Sequence, residues 1–592
     1  MMETSEKLKA LRQQMKKKDI NAYIIPHSDP HISEYIPDYW KMRIWASGFS
    51  GSAGTLVITM DNAALWTDSR YFLQAEQQLQ GSGIELCKMG LPETPDITSW
   101  LSMNLRKGST VGFDGLVFSL NSARTYIDSF KKKGFSCIPN IDIVSKLWDD
   151  RPALPSNKVF SHELEFSKIS ISEKLGAIRK ALLVRDATAY LMCALDEICW
   201  TFNIRGSDIA FNPVVLSYAI VDDDTATLFI DRSKLDSTLL EYLQSEGVDV
   251  RDYGKVSKFL SKLTKKDTVV IDPAKTNFQI HSQIPEKVKV IETLGLATEI
   301  KARKYPAEVD GLRSAMVQDG VAMVEFLYWL ESNVGKIEMT ELSVGDKLFE
   351  FRRKRQHFVS ESFGSIVGYK DHGAIVHYSA SPETNYSIEK DGFLLVDSGG
   401  QYLNGTTDIT RTIHLSKPSK DEKFDYTLVL KGMIRLAMAK FPAGTRGSQL
   451  DTLARMALWS NNINYGHGTG HGVGYFLNVH EGPQQIRPDN HLPIEVGMLM
   501  SNEPGLYRAG KHGIRIENLI VCVDDETNDF GRFLKFETLT LCPIDTNPID
   551  VEMLWDDEQK WLNDYHSMVY ERLSPFLNSD HQKWLKNKTL PI

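Results

Sequence analysis

The sequence predicts an α/β protein of mixed α+β character, built from two related modules and a third, larger domain. Both modules show an apolar β-hairpin, an amphipathic helix and a short buried strand that ends on Asp-Gly or Asp-Pro. A polar segment with two prolines separates them, and glycines and histidines become concentrated beyond residue 305. At about 150 residues per domain, a chain of 592 residues suits three to four domains.

The elements of the two modules follow each other in the same order, which indicates duplication of one α/β unit. Asp222 and Thr225 predict the hairpin turn of the second module. Pro306 and Glu308 predict the first turn of a long helix. We therefore expect domains at residues 1–153, 154–304 and 305–592. The segments used are 21–26, 53–59, 63–79 and 110–115 in the first module, 214–221, 226–243 and 268–273 in the second, and 149–158 between them.

Composition excludes several classes of function. The chain is 42% apolar, which is enough to bury sizeable cores. Its net charge of −9 gives no overall attraction to nucleic acid or to anionic membranes. The sequence shows no apolar run of about 20 residues and no signal-peptide pattern. The six cysteines form no CxxC pair, so we expect reduced thiols and a cytoplasmic protein without a nucleic-acid or membrane partner.

Two aspartates lie on apolar, strand-like segments of the third domain. Asp397 ends the run FLLV, and Asp408 follows across a turn marked by Asn404-Gly405. An ideal two-residue turn there pairs Asp408 with Gln401 and leaves Asp397 about 13 Å away along the strand. For both aspartates to reach one ion, the connection must be wider or bulged, and Gly399-Gly400 is the candidate bulge.

Two glutamates are placed more favourably. Glu503 and Glu517 are equidistant from Gly510, so a hairpin that turns there sets them opposite each other on one face. Like charges in that position are destabilising unless a cation or a proton lies between them. The four carboxylates therefore predict a bound cation.

Histidines occur in the same region as these carboxylates. His467 and His471 have i,i+4 spacing, but the glycines around them argue against a zinc-binding helix and favour an extended segment. Each acidic residue alone is more often a strand-end or turn residue, whereas four carboxylates close to four histidines favour a metal centre. The sequence contains no GxSxG motif and no cysteine in an activating context. The histidines are His377, His467, His471 and His480.

Four carboxylates and one imidazole can hold two divalent ions only by bridging. Ligands rich in oxygen and poor in nitrogen favour Mn²⁺, with Co²⁺ or Zn²⁺ as possible substitutes. Two such ions activate a shared water as hydroxide and polarise a carbonyl group. The predicted reaction is therefore hydrolysis of an amide, and no other cofactor is expected.

Several motifs together resemble one family, the Xaa-Pro aminopeptidases (aminopeptidase P) of the long, three-domain cytosolic type, within the pita-bread metallopeptidases. The resemblance spans nearly the whole chain, in order and in spacing. The motifs are WTDSRYFLQA (66–75), KARKYPAE (301–308), DSGGQYLNGTTDITRT (397–412), HGTGHGVGYFLNVHEGP (467–483), NEPGLY (502–507) and GIRIENL (513–519).

This resemblance implies two creatinase-like N-terminal α/β domains, a C-terminal pita-bread catalytic domain and a homodimer. By motif position it implies five metal ligands. Two of them, Asp408 and Glu517, are bridges, and Glu503 is also the general base. Three further histidines are implied to position the substrate and to stabilise charge on the scissile carbonyl oxygen. The implied ligands are Asp397, Asp408, His471, Glu503 and Glu517, and the other histidines are His377, His467 and His480.

The implied activity is removal of the residue before a penultimate proline, through a hydroxide that bridges the two metals. A prolidase, restricted to Xaa-Pro dipeptides, is one alternative. A pita-bread binding module without catalysis is another, although all five candidate ligands are present. Tyr402, Tyr475 and Phe476 are open candidates for the proline pocket. The polar C-terminal helices carry Trp555, Trp561 and Trp584, which indicates a core cap or a dimer interface.

Overall fold

The computed structural model describes residues 2–592, which divide into two compact units. One unit comprises the chain up to Glu163 together with Ile169–Ile300. The other comprises Leu164–Lys168 together with Lys301–Ile592. The predicted α/β class is confirmed by the mixed sheets and helices in both units, whereas the domain boundaries at residues 153 and 304 stay predictions.

The first module is a six-stranded mixed sheet with the strand order β4-β3-β2-β1-β5-β6. The pairs β1–β2 and β2–β3 are antiparallel, and the other three pairs are parallel. Buried apolar side chains such as Ile24, Leu56 and Val111 form its core. The strands are β1 (Ala22–Pro26), β2 (Thr55–Thr59), β3 (Ala63–Thr67), β4 (Glu85–Lys88), β5 (Thr110–Phe113) and β6 (Ser136–Ile138), and the helices are α1 (Thr4–Lys17), α2 (Met42–Ser47), α3 (Phe72–Gln78), α4 (Ile97–Asn104) and α5 (Leu120–Lys133).

The second module has a six-stranded sheet with the order β12-β11-β10-β8-β13-β14. Its strands are β7 (Phe160–Ser161), β8 (Ala189–Met192), β9 (Ile204–Arg205), β10 (Ser217–Asp222), β11 (Ala226–Ile230), β12 (Val248–Asp252), β13 (Thr268–Ile271) and β14 (Lys289–Glu292), with β7 and β9 paired separately. The helices of this part of the chain are α6 (Leu164–Ser167), α7 (Ile171–Val184), α8 (Leu195–Thr201), α9 (Ser237–Ser245), α10 (Val256–Leu260), α11 (Phe278–His281) and α12 (Leu296–Ala302).

The two sheets have the same topology. From β12 to β14, successive strand pairs are parallel, antiparallel, antiparallel, parallel and parallel. The pairs from β4 to β6 in the first sheet follow the same succession. The predicted repeat of elements is therefore confirmed. The predicted turn is also present, because the Asp222 carboxylate accepts the N–H groups of Asp224 and Thr225. Five strands of the two sheets lie outside the predicted segments, namely β4, β6, β8, β12 and β14; of these, β8, the counterpart of β1, has only four residues and offers little periodicity.

The second unit contains long helices and several small sheets. The predicted helix begins at Pro306, and Glu308 accepts the N–H of Tyr305. The helices are α13 (Pro306–Asn333), α14 (Glu341–Arg352), α15 (Lys420–Ala437), α16 (Gly447–Trp459), α17 (Asp556–Leu573) and α18 (Ser579–Lys588), and the strands are β15 (Phe358–Glu361), β16 (Ile366–Tyr369), β17 (Phe393–Ser398), β18 (Gly400–Tyr402), β19 (Gly405–Thr406), β20 (Ile409–His414), β21 (Lys440–Pro442), β22 (Gly470–Gly472), β23 (Glu481–Ile486), β24 (Leu499–Asn502), β25 (Gly505–Arg508), β26 (His512–Arg515), β27 (Asn518–Asn528) and β28 (Gly531–Thr538).

These strands form four sheets. The largest has the order β21-β28-β27-β24-β22-β23, two three-stranded sheets have the orders β16-β17-β20 and β15-β18-β19, and β25 pairs with β26. The last two helices cap apolar cores of this unit, since Trp561 stacks on Tyr565 and Trp584 packs on two buried clusters. Trp555 remains 56% exposed. All six cysteines are free thiols, as predicted.

Candidate metal centre

Asp397 and Asp408 lie on one two-stranded ribbon. β17 pairs antiparallel with β20, so that Asp397 lies opposite Thr410. The same register beyond the end of β17 sets Asp408 opposite Gly399. The two aspartates are therefore diagonal neighbours on one face, and such neighbours lie roughly 7–8 Å apart at Cα. Their carboxylates can reach a common pair of ions.

The predicted turn at Asn404-Gly405 is wrong. Tyr402 pairs with Gly405, so the turn residues are Leu403-Asn404. Gln401 therefore pairs with Thr406, two residues away from the predicted partner Asp408. The glycine serves a tertiary contact instead, because a Cβ at Gly405 would press against Leu312 of α13. No register shift interrupts the ribbon between β17 and β18, so the expected bulge is not needed.

Gly399 lies where this ribbon passes from one sheet to the next. A Cβ at this position would collide with the backbone carbonyl of Thr407 and with Ser362 Oγ. Ser362 Oγ also donates to the Thr407 carbonyl at 2.8 Å. The close approach of two backbones next to Asp408 thus requires a residue without a side chain.

Glu503 and Glu517 face each other across a break in a β-hairpin. Asn502 pairs with Asn518 on one side of the break, and Gly505 pairs with Arg515 on the other. Both pairings keep the register about Gly510, so the predicted register is confirmed. The two glutamates are opposite each other, as the sequence spacing indicated.

At the break, both glutamates turn their N–H groups away from each other. The N–H of Glu503 donates to the carbonyl of Thr469 at 2.8 Å, and the N–H of Glu517 donates to the carbonyl of Thr410 at 3.1 Å. Thr469 lies two residues before His471, and Thr410 lies two residues after Asp408. These bonds bring four of the predicted ligands to one place.

His471 lies on β22, in extended backbone as predicted. Its Nε2 is 3.3 Å from Glu503 Oε1 and 3.5 Å from Asp408 Oδ2. Its Nδ1 is 3.0 Å from the Gly472 carbonyl, which can only accept, so Nδ1 carries a hydrogen and Nε2 is the ring nitrogen that faces the carboxylates. One potential ligand atom from each of Asp408, His471 and Glu517 lies within 4.8 Å of the others.

The chemistry of this cluster fits bound cations. Within residues 2–592, Asp397 Oδ1 and Glu517 Oε1 are buried and have no hydrogen-bond donor. An anionic oxygen left in this state is costly unless a positive charge compensates it. Divalent metal ions would supply that charge and accept these oxygens as ligands.

The pKa values of the carboxylates also indicate a site for cations. Burial, followed by the charges of Glu517 and Asp397, raises the pKa of Asp408 well above its usual value. Burial, followed by the charge of Glu503, raises the pKa of Glu517. Burial also raises the pKa of Glu503 to about 7, and the Asp397 charge adds to this. Three carboxylates that resist ionisation together are stabilised as anions when cations lie between them.

Two of the predicted substrate-binding histidines lie beside this cluster. The His480 ring is 4.3 Å from the His471 ring in an edge-on arrangement. His467 Nδ1 lies 2.7 Å from the Gly468 carbonyl, and its Nε2 lies 2.8 Å from the hydroxyl of Tyr507. His377 is half-buried in a turn between β16 and β17. The roles of all three histidines stay predictions.

Sequence reasoning missed Arg515, which connects several parts of the site. Its Nη2 donates to Asp397 Oδ2 at 2.6 Å and its Nη1 donates to the Tyr507 hydroxyl at 2.8 Å. Its Nε donates to Thr410 Oγ1, which itself donates to Glu517 Oε2 at 2.7 Å. An arginine between two isoleucines on a buried strand, two residues before a ligand, was the available signal.

The three aromatic candidates for the proline pocket are core residues. Tyr402 is fully buried, and its hydroxyl donates to Asp319 at 2.9 Å. Tyr475 and Phe476 are 2% and 0% exposed. All three side chains are buried, and the assignment of the proline pocket stays a prediction.

Known protein families match separate segments of the chain. Residues 310–524 match the metallopeptidase family M24, and residues 532–592 match the C-terminal region of that peptidase. Residues 7–143 and 150–308 each match a creatinase/prolidase N-terminal domain. Aminopeptidase P2 of Arabidopsis thaliana is 40% identical over 612 residues, covering 97% of this chain and 86% of that protein. The chain belongs to the aminopeptidase P family of M24 metallopeptidases.

Other aminopeptidase P proteins match over their whole length. The probable Xaa-Pro aminopeptidase P of Paracoccidioides brasiliensis (strain Pb03) is 39% identical and is covered completely, as is this chain. The crystal structure of X-prolyl aminopeptidase from Caenorhabditis elegans, a cytosolic enzyme with a di-nuclear active site, has a TM-score of 0.96 and 36% identity over 100% of both chains.

These matches confirm the predicted aminopeptidase P fold of two creatinase-like domains and a pita-bread domain. The two creatinase/prolidase matches also correspond to the two sheets of equal topology. Among residues 2–592, no helix has both the length and the apolar character that a membrane span requires.

Proposed function

We propose that this protein is a metal-dependent aminopeptidase that hydrolyses the bond between an N-terminal residue and a penultimate proline. The observation that carries the proposal is the cluster of four carboxylates and one imidazole with two buried, donor-less oxygens. Full-length similarity to proteins named Xaa-Pro aminopeptidase supports the substrate class.

The proposed ligands are Asp397, Asp408, His471, Glu503 and Glu517, with Asp408 and Glu517 shared between two divalent ions. When bound, these ions supply Lewis-acid activation of water and of the scissile carbonyl. Their proposed identity is Mn²⁺, because the ligand set is rich in oxygen and lacks sulfur, with Co²⁺ or Zn²⁺ as substitutes.

Each side chain of the site has a proposed task. Glu503 is the general base that takes a proton from the attacking water, and its carboxylate is held by a 3.1 Å bond from Ser501 Oγ. His377, His467 and His480 together position the peptide and stabilise the charge that develops on the carbonyl oxygen. Arg515 keeps Asp397 in place while Thr410 keeps Glu517 in place.

The proline requirement has a physical basis. A bond before proline is a tertiary amide without an N–H, and the ring fixes φ, so ordinary aminopeptidase sites bind it poorly. We further propose that the active form is a cytosolic homodimer and that the chain comprises domains at residues 1–153, 154–304 and 305–592.

A panel of three peptides tests the activity with the Mn²⁺-loaded protein and a mass-spectrometric readout. We expect release of arginine from Arg-Pro-Pro, none from Arg-Ala-Pro, and loss of the activity in Glu503→Ala. Cleavage of the dipeptide Ala-Pro alone would identify a prolidase instead. No cleavage of any peptide by protein with bound metal would identify a binding module.

A further inference from the structure

One buried carboxylate holds both ends of the segment that carries His377. This segment, residues 370–386, follows β16 and precedes β17, and it begins with the short helical turn Lys370–Ala374. Glu341 is the first residue of α14 and is 1% exposed. It lies outside the set of motifs that define the metal centre.

Four donors converge on this carboxylate. At the start of the segment, Glu341 Oε1 accepts the N–H of Tyr369 at 2.8 Å and lies 2.9 Å from His372 Nδ1. At the far end, Oε2 accepts the N–H of Tyr386 at 2.9 Å. Between the two ends, the Tyr378 hydroxyl donates to Oε2 at 2.8 Å. Glu341 thus fixes the residue directly after His377 and both ends of the segment.

Stacked rings reinforce these bonds. The His372 ring is parallel to the Tyr386 ring at 3.6 Å and to the Tyr378 ring at 4.3 Å. Burial, with an addition from the Glu341 charge, raises the pKa of Tyr378, so its hydroxyl remains a donor at neutral pH. The backbone N–H of Glu341 also donates to the carbonyl of Tyr386 at 3.1 Å.

The same segment is packed backbone to backbone against the hairpin of the metal centre. A Cβ at Gly513 of β26 would collide with the carbonyl of Gly373 and the nitrogen of Ala374. Gly513 lies two residues before Arg515, whose guanidinium binds Asp397. The position of the His377 segment is therefore set on one side by Glu341 and on the other by β26.

We propose that Glu341 is a positioning residue, which acts through Tyr378 and His372 to hold the backbone on which His377 is presented to the peptide. This inference rests on the proposed function, because the task of His377 is part of it. A glutamine at position 341 keeps the shape but presents an NH₂ group where the carboxylate accepts two donors, so at least one bond of the segment is lost.

The test combines Glu341→Gln, His377→Ala and the double variant in the full-length, Mn²⁺-loaded protein. We expect Glu341→Gln to lower kcat/KM for Arg-Pro-Pro about tenfold, and by less than about twofold when His377 is already alanine, because coupled residues are not additive. The bound metal should stay unchanged. Amide exchange of residues 370–386 should become faster with Glu341→Gln in both backgrounds. Glu338→Gln, at an exposed position three residues upstream, is the matched control.

An equal loss of kcat/KM in both backgrounds, or no loss in either, would overturn the inference. If Glu341→Gln does not fold, Tyr378→Phe removes one of the four bonds and should show a smaller loss with the same dependence on His377. The two proposals fail separately. Wild-type protein that binds metal without cleaving Arg-Pro-Pro overturns the function, whereas unchanged amide exchange in Glu341→Gln overturns the positioning.

Discussion

At the scale of single residues, Arg515 contributes three directed bonds to the metal centre. Lysine has the same charge but lacks the planar fork, so Arg515→Lys should release Asp397 and the Thr410–Glu517 pair. We expect Mn²⁺ affinity to fall about 10–100-fold, as for other partners of metal ligands. Isothermal titration of the metal-free protein measures this.

Arg508→Lys is the control for that experiment. Arg508 lies on β25 of the same hairpin but pairs with Asp425 and is partly exposed. Its replacement should leave Mn²⁺ affinity within about twofold, because Arg508 is bonded to Asp425 and not to a candidate metal ligand. Equal losses in both variants would show that Arg515 supports the hairpin and has no specific effect on the ligands.

In the metal-free protein, Glu503 makes the free energy of unfolding depend on pH. Its pKa in the folded chain is about 7, against an ordinary value of 4.5. The folded state therefore binds this proton more tightly than the unfolded state does. The resulting contribution of Glu503 to the free energy of unfolding is fully present below pH 4.5 and is lost as the pH rises through about 7. The free energy of unfolding should fall by on the order of 3 kcal/mol from this group.

Chemical denaturation of the metal-free wild type and of Glu503→Gln between pH 5 and pH 8 measures this contribution. The decline should be steeper in the wild type, and Mn²⁺ should remove the difference, because a cation favours the ionised carboxylate. Parallel curves for the two proteins would contradict the assigned pKa.

The sequence allowed the ligand residues to be placed together, since carboxylates are rare on apolar strands and the pair about Gly510 follows from hairpin symmetry. Arg515 and Tyr507 were not predictable in the same way. The bond from Arg515 to Asp397 joins segments more than 100 residues apart in the sequence. No local sequence pattern encodes which buried arginine meets which carboxylate.

At the scale of elements, the ribbon of β17, β18, β19 and β20 sets the distance between Asp397 and Asp408. Gly399→Ala should push the Thr407 backbone away and displace Asp408, because the new Cβ has no room. We expect at least a tenfold loss of Mn²⁺ affinity, by analogy with the loss of partners that orient metal ligands. Gly345→Ala in α14 is the control, since its Cβ meets only ordinary contacts. Unchanged affinity in Gly399→Ala would contradict this role of the ribbon.

The turn of this ribbon shows why a local signal can mislead. Asn404-Gly405 suits a tight hairpin turn, but the Asn404 side chain donates to the Gly311 carbonyl of α13 and Gly405 makes room for the same helix. The tertiary contact decided the register. In contrast, the turn at Asp222 is bonded by its own side chain and was predictable from local sequence.

At the scale of the whole molecule, the two creatinase-like modules repeat one sheet topology, and the pita-bread domain carries the metal centre. The homodimer is a proposal, and the exposed Trp555 is its candidate interface residue. Light scattering should therefore give twice the chain mass of 67.0 kDa. A particle of 67.0 kDa that retains full activity would contradict the dimer.

The most direct test of a dinuclear metal centre is a metal titration of the metal-free protein with Arg-Pro-Pro as substrate, in which bound Mn²⁺ is counted alongside released arginine. We expect negligible arginine release without metal, full activity when two ions are bound per chain, and loss of both in Asp408→Ala. Full activity of metal-free protein, or of Asp408→Ala, would contradict it.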